Sequence, residues 1–237
     1  MATEVIAHRG ASGTAPENTL PAFRRAVEIG AHMIELDVQL TRDGHPVVIH
    51  DWTLDRTTSG RGAVRRRTLA EIAALDAGAW FGRAFAGTRV PGLDEVLGAI
   101  GIRINVELKA AGNDGLERRV LDAVERAGAL GRVVFSSFDA ASLGRLRALS
   151  AEAELAVLWA GRSVSRALAL AGRVGARSLH LRTSRGVPAA IVSGHAAGFA
   201  VRVWTVNAAA EFARLTEAGA DGVFTDYPER FLQISRA

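Results

Sequence analysis

The sequence predicts an α/β fold closed into a (β/α)8 TIM barrel, on three observations. Short apolar runs alternate with amphipathic segments along the whole chain, the pattern of successive βα units. Eight apolar runs have the length and β-branched character of strands. The chain has 237 residues with 49% hydrophobic content, which suits one barrel of roughly 250 residues better than two ordinary domains.

The expected strands are Val5–His8, Met33–Asp37, Ile102–Leu108, Val133–Phe138, Leu155–Trp159, Ser178–Leu181, Val201–Val206 and Gly222–Thr225. Helical patterns such as Leu116–Arg126, Ser142–Ala148, Val164–Arg173 and Ala208–Glu217 separate them, and glycines at 30, 128 and 219 stop several helices. Residues from about Val38 to Val90 do not fit a simple βα unit. They hold an extra apolar run, Val47-Val48-Ile49, then an Arg- and Gly-rich stretch, then a helix opened by a Thr68/Glu71 capping box. We read this as a small insertion after the second strand of a single domain spanning 1–237, because no repeat or low-complexity linker marks another domain.

The insertion opens with a hairpin signal. Asp43-Gly44 is a two-residue type I′ turn sequence, which would pair Arg42 with His45, Thr41 with Pro46 and, counting outward, Asp37 with His50. Directly opposed residues are about 5 Å apart at Cβ, and Glu35 shares a strand face with Asp37. Glu35, Asp37 and His50 are thereby expected near one strand end.

Composition narrows the chemistry. The formal charge is +4, from 29 basic and 25 acidic residues spread along the chain, with Arg65-Arg66-Arg67 the one short basic run. This is not a nucleic-acid footprint. Lys109 is the only lysine, which suggests a position that wants a compact ammonium rather than a planar fork. With no cysteine, a bound metal must rest on oxygen or imidazole ligands. No apolar stretch approaches the roughly 20 residues that span a bilayer and no signal peptide is visible, so a cytoplasmic protein without membrane insertion is expected.

In a (β/α)8 barrel the C-terminal strand ends converge on one mouth, where active sites of the fold lie. The first strand ends in His8-Arg9-Gly10, the second in Glu35 and Asp37, and the third in Glu107 with Lys109 beyond. The seventh ends near Trp204 and Asn207, the eighth at Asp226. Three carboxylates, two imidazoles and two fixed cations in one place are costly unless a metal and an anion compensate them. Glu35, Asp37 and Glu107 can offer oxygen ligands to one divalent cation, Mg2+ or Ca2+. Arg9 and Lys109 can neutralise phosphate oxygens, and His8 and His50 are candidates for general base and acid.

Each residue also has an ordinary reading. Glu35 and Asp37 could form salt bridges, and a lone histidine is more often structural. His32, His45 and His195 are read that way, with His180 retained as a weak site candidate because of its place near a strand end. Trp204 alone is a packing residue and becomes a candidate substrate contact only beside the others. Asp226, before Tyr227-Pro228, reads as a cap of the last helix.

Ten ordered segments are then familiar. They are HRG at 8–10, PENT at 16–19, ELDVQLTRDG at 35–44, HD at 50–51, LDRTTSGRG at 54–62, DAGAWFG at 76–82, NVELK at 105–109, SSFD at 136–139, VWTVN at 203–207 and DGVFTDYP at 221–228. Through them the chain resembles the glycerophosphodiester phosphodiesterase family nearly end to end. The resemblance implies metal ligation by Glu35, Asp37 and Glu107, acid–base catalysis by His8 and His50, and phosphate contacts from Arg9 and Lys109. It implies hydrolysis of a small-molecule glycerophosphodiester to glycerol 3-phosphate and an alcohol, and it places the insertion at about residues 51–90. The chain departs from the family pattern at Ser178–Gly186, on the alcohol side of the expected pocket. Two other readings compete: a lysophospholipase D-like or cyclising barrel phosphodiesterase, and a barrel that binds a phosphorylated ligand without turning it over.

Overall fold

The computed structural model describes residues 2–109, 112 and 114–232. Eight strands run parallel in one closed sheet: β1 (Glu4–Ala7), β2 (Met33–Leu40), β4 (Arg103–Leu108), β5 (Val133–Ser137), β6 (Glu154–Trp159), β7 (Ser178–Arg182), β8 (Ala200–Trp204) and β9 (Gly222–Thr225). β1 pairs with both β9 and β2, which closes the barrel. A ninth strand, β3 (Pro46–Val48), pairs antiparallel with β2 and lies outside the ring.

Helices α1 (Leu20–Ile29), α3 (Leu93–Ala99), α4 (Leu116–Arg126), α5 (Ala140–Leu149), α6 (Val164–Val174), α7 (Val187–Ala196) and α8 (Ala209–Glu217) return the chain between strands, and a single turn, α9 (Glu229–Leu232), follows β9. The expected glycine stops hold: Gly30 ends α1 in the left-handed conformation, with φ 89°. The short α2 (Leu69–Ala73) carries both halves of the expected Thr68/Glu71 capping box.

Strand alternation sorts the side chains into two cores. Ile34, Leu36 and Val38 of β2 face outward and pack with Phe23, Leu93, Val96 and the other inward-facing helix residues. Met33 faces the barrel interior with Ile6, Val134, Ala156 and Phe224. The same parity carries Glu35 and Asp37 upward along the interior wall toward the mouth. At the opposite end the interior is closed by ion pairs, Arg103 to Glu4 at 3.4 Å and to Glu154 at 3.1 Å, and Arg202 to Glu4 at 2.9 Å.

The hairpin departs by one residue from the expected register. The observed pairs are Val38↔Val48, Gln39↔Val47 and Leu40↔Pro46, so Asp37 is level with Ile49 and not His50. A type I′ turn needs positive φ at both central residues, and here only Gly44 has it, at 76°. The loop is instead three residues long, with the Gly44 amide donating to the Thr41 carbonyl at 3.0 Å and the Thr41 amide to the His45 carbonyl at 3.1 Å. The Thr41 hydroxyl fixes it further by bonding Asp43 at 2.6 Å. A one-residue slip in a continuing strand would send His50 to the wrong face. β3 stops at Val48, however, and the Gln39 amide reaches the carbonyls of Ile49, His50 and Asp51 at 3.1, 3.0 and 2.7 Å. The chain therefore turns over the mouth, and His50 arrives there by this bend.

Between β3 and α3 lies the segment expected as the insertion, at about residues 51–90. Val47, Ile49, Leu54, Val64, Ile72, Ala77 and Val90 make a small core of their own beside the barrel. Asp76 organises the following turn by accepting from the amides of Gly78, Ala79 and Gly87 at 2.7–2.8 Å. A Cβ on Gly78 would collide with the Phe85 carbonyl oxygen, whereas one on Gly82 would meet nothing within 4 Å. We expect Gly78→Ala to destabilise the protein by about 1–3 kcal/mol, the usual cost of overpacking. Gly82→Ala should stay within about 0.5 kcal/mol of the parent. Denaturant melts of the two variants check the pair.

Candidate active site

Asp37 on β2 is in register with Glu107 on β4, and Glu35 with Asn105. Neighbouring strands are about 4.8 Å apart, so this register forces carboxylates together. One oxygen from each of Glu35, Asp37 and Glu107 lies within 4.8 Å of the others. Asp37 is 1% exposed and Glu35 3%.

The loop after β1 wraps these acids. Arg9 and Asn18 both adopt left-handed backbone, at φ 56° and 57°, which a non-glycine residue holds only where its surroundings determine it. Gly10, at φ 81°, allows α1 to approach, since a Cβ there would stand 2.7 Å from the Ala22 backbone. The turn brings the Arg9 amide to Glu35 Oε2 at 2.8 Å. Asn18 straddles Asp37, donating to Oδ2 at 2.8 Å and accepting from the Asp37 amide at 3.2 Å. Arg9 Nε lies 3.3 Å from Asp37 Oδ2 without hydrogen-bonding alignment, and its Nη1 donates to Glu17 at 2.8 Å. Lys109 Nζ is 3.1 Å from Glu107 and 3.6 Å from Asp37 Oδ1.

Burial pushes the Glu107 carboxyl up to about 7, helped by the charge of Asp37 and opposed by Lys109. Burial, Asp37 and Glu107 likewise hold Glu35 well above the carboxylate range. Burial also works against Asp37, but Arg9, His50, Lys109 and the Asn18 amide outweigh it and keep its value low. Asp37 is the fixed negative charge of the triad.

Each candidate histidine is held through Nδ1. His8 Nδ1 lies 2.7 Å from Asp226 and His50 Nδ1 2.6 Å from Asp51. Both aspartates are kept below the usual carboxylate range: Asp226, despite burial, by hydrogen bonds from His8, Asn207 and Ser12, and Asp51 chiefly by the Arg56 guanidinium. An ionised carboxylate can only accept, so Nδ1 donates and Nε2 is the nitrogen left free in each ring. Burial and the neighbouring cations lower the His50 value, with Asp37 and Asp51 acting in the other direction.

A cavity of about 190 Å3 is lined by His8, Arg9, Glu35, His50, Asn105, Glu107, Lys109, Phe138, Leu158, Trp204 and Phe224. Seven of the eight candidates from the sequence therefore share one wall, with Asp37 buried behind it. Trp204 serves both of its readings, since it lines the cavity, meets Phe138 edge to face at 5.6 Å and donates to the His180 carbonyl at 2.9 Å.

Other candidates fall elsewhere. His180 is wholly buried against Phe224 and does not line the cavity, so its weak candidacy ends in the packing role. His32 accepts from the Val5 amide and His195 pairs with Asp221. Asp226 is a correction: it does not cap α9, because its carboxylate takes His8, Ser12 and Asn207 at 2.7, 3.1 and 2.6 Å. Its place at a strand end was the usable signal. Asn18, Glu17 and Asp51 were visible only as members of motifs.

The donor set fits a hard divalent cation. It is all carboxylate, and Asp37 Oδ1 is buried with no hydrogen-bond partner, the Lys109 ammonium standing 3.6 Å away, so the oxygen has a lone pair open to a cation. Fold and site together define a TIM-barrel protein with a carboxylate triad at its mouth that could hold a cation, beside the fixed positive charges of Arg9 and Lys109.

Residues 8–230 match the Glycerophosphoryl diester phosphodiesterase family. A glycerophosphodiester phosphodiesterase of Caldanaerobacter subterraneus is 42% identical, across 100% of this chain and 99% of the relative. One from Bacillus altitudinis is 38% identical, across 98% of each. An Oleispira antarctica phosphodiesterase, solved in complex with the product sn-glycerol-3-phosphate, superposes with a TM-score of 0.89 at 33% identity, covering 99% of this chain and 97% of that one. The chain belongs to the glycerophosphoryl diester phosphodiesterase family.

The raised Glu107 value has a consequence for stability. A carboxyl at 4.5 in the unfolded chain and about 7 in the fold binds more protons folded than unfolded between those values. Its contribution is therefore present below 4.5 and is lost as pH rises through about 7. Chelator-treated protein should lose thermal stability across this window, and Glu107→Gln should flatten the loss. A parent midpoint independent of pH across the window would contradict the electrostatic account.

Proposed function

We propose that the chain is a glycerophosphodiester phosphodiesterase, hydrolysing a glycerophosphodiester to glycerol 3-phosphate and an alcohol. The observation that carries the reading is the convergence of Glu35, Asp37 and Glu107 with Arg9, Lys109, His8 and His50 about one cavity. Family membership and the Oleispira relative's glycerol 3-phosphate complex support the substrate class. We read the chain as one catalytic barrel domain with the insertion at about residues 51–90. No helix among the described residues is long and apolar enough to cross a membrane.

Glu35, Asp37 and Glu107 would hold one Mg2+ or Ca2+, and when bound the cation supplies Lewis-acid polarisation at a phosphate oxygen. Arg9 and Lys109 neutralise nonbridging oxygens from the neighbouring sides, and Trp204 with Phe138 bounds the substrate. His8 and His50 exchange protons through Nε2, one accepting from the water that attacks phosphorus and one donating to the alcohol oxygen as its bond to phosphorus breaks. We assign His8 as base and His50 as acid. The lowered His50 value in the ligand-free site favours its neutral form, and an anionic phosphate beside the ring acts in the opposite direction.

Glycerophosphocholine, glycerophosphoethanolamine and a lysolipid, each incubated with and without EDTA, should separate the readings by product. Glycerol 3-phosphate from the first two, abolished by chelation and restored by Mg2+ or Ca2+, is expected. Preferential turnover of the lysolipid, or a cyclic phosphate product, would favour the lysophospholipase D-like or cyclising alternative. Binding without turnover would favour the ligand-binding barrel.

His8→Ala and His50→Ala should each lower kcat by about 10²–10⁴-fold, the usual contribution of a positioned acid or base. A substrate with a strongly acidic leaving alcohol should restore His50→Ala and not His8→Ala. The opposite rescue would reverse the assignment, and near-parental kcat in both variants would remove the mechanism.

A further inference from the structure

One motif is left without a role by the site as described: the LDRTTSGRG segment, which lies in the insertion and lines no part of the active-site cavity. The first of its two arginines, Arg56, makes four close contacts with two carboxylates. Nε and Nη2 reach Asp51 at 2.7 and 3.1 Å, and Nη1 and Nη2 reach Glu17 at 2.7 and 2.8 Å. Asp51 is the partner of His50 Nδ1, and Glu17 is the partner of Arg9 Nη1. Five side chains therefore form one chain, from His50 through Asp51, Arg56 and Glu17 to Arg9, the last four of them alternating in charge.

We propose that Arg56 is a positioning residue that sets the two sides of the active site together, orienting His50 through Asp51 and Arg9 through Glu17. The inference rests on the roles proposed above for His50 and Arg9. Its geometry suits a guanidinium and not an ammonium, because only a planar fork can pair bidentately with two carboxylates at once. The loop that presents it is itself held: the Thr58 hydroxyl donates to the Leu54 carbonyl at 2.6 Å and accepts from the Gly60 amide at 3.0 Å, and Asp55 accepts from the Gly62 amide at 3.0 Å. Glu17 comes from the loop before α1 and Asp51 from the start of the insertion, so Arg56 also ties the insertion to the barrel. Without it Asp51 would be left with His50 as its partner and Glu17 with Arg9, but nothing would tie the two pairs together. Asp51 would be free to turn from His50, and Glu17 would bind Arg9 without a second anchor.

The two arms predict separable effects. With glycerophosphocholine and Mg2+, Asp51→Asn should act mainly on kcat and Glu17→Gln mainly on KM, while Arg56→Ala should change both. Orienting partners of this kind are typically worth about 10–100-fold. Arg56→Lys should recover little. Because Arg56 is 45% exposed, guanidinium added at low, non-denaturing concentration should restore part of the Arg56→Ala loss. A readout without turnover is the ¹⁵N spectrum of the histidine side chains, with His50 assigned by His50→Gln. The parent should show a protonated, hydrogen-bonded Nδ1 for His50, and Arg56→Ala should lose it. If the parent does not hydrolyse glycerophosphodiesters, the functional reading fails while the spectrum still tests the clamp. If Arg56→Ala keeps the His50 signal together with parental kcat and KM, or if its lost activity returns with lysine but not with guanidinium, the positioning role is overturned.

Discussion

Three carboxylates occupy one buried corner of this molecule, and like charges so placed repel more strongly than they would in water. Asp37 and Glu107 are level on adjacent strands, with Glu35 one step below on the same wall. Arg9 and Lys109 supply two fixed positive charges against three potential negative ones. The difference appears as proton uptake, with Glu107 pushed up to about 7 and Glu35 raised well above its ordinary range. A divalent cation would relieve the same imbalance without protons, so cation binding at the triad would be linked to its deprotonation. The loop after β1 answers this constraint as well: the left-handed Arg9 turn and the Asn18 clamp each put a donor or a positive charge against it.

A barrel can carry such a site because its interior is layered. Charged groups at the lower end pair among themselves, Arg103 and Arg202 with Glu4 and Glu154. An apolar layer of Ile6, Met33, Val134, Ala156 and Phe224 lies above. The acids come next, where strand alternation leaves them no choice but to face inward. Separating the two charged layers by packed hydrocarbon keeps Arg103 and Arg202 from neutralising the triad, so its negative charge is reserved for what enters the mouth. Fold stability and site chemistry thus use different levels of the same eight strands.

Strand order, helix stops and six of the seven cavity-lining candidates were legible in the sequence because period-2 alternation and strand-end position decide them. The hairpin register was not, since Asp43-Gly44 is compatible with both a two-residue and a three-residue loop, and the Thr41 hydroxyl bond that favours the longer one is invisible to pattern. His50 was nonetheless expected in the right place. It gets there through the Gln39 amide, which bends the chain where β3 ends, so a correct position followed from an incorrect register. Asp226 was misread because an acid before a helical turn is usually a cap, and only the closing of β9 against β1 shows which group it meets. Asn18, Glu17 and Arg56 act through contacts 19 and 39 residues apart, and no local pattern encodes such pairs.

That long-range character connects folding to chemistry. His8 takes its tautomer from Asp226, 218 residues later, across the seam where the last strand meets the first. His50 takes its tautomer from Asp51, the next residue, but Asp51 depends on Arg56 and through it on Glu17 at the other side of the mouth. Neither proposed proton-transfer group is therefore oriented by its own strand alone. One needs the barrel closed, by the pairing of β9 with β1, and the other needs the insertion docked through Arg56 and Glu17. Glu35, Asp37 and Glu107 are brought together by the β2–β4 register alone. The acidic triad is the property of two strands; the complete constellation is the property of the whole barrel.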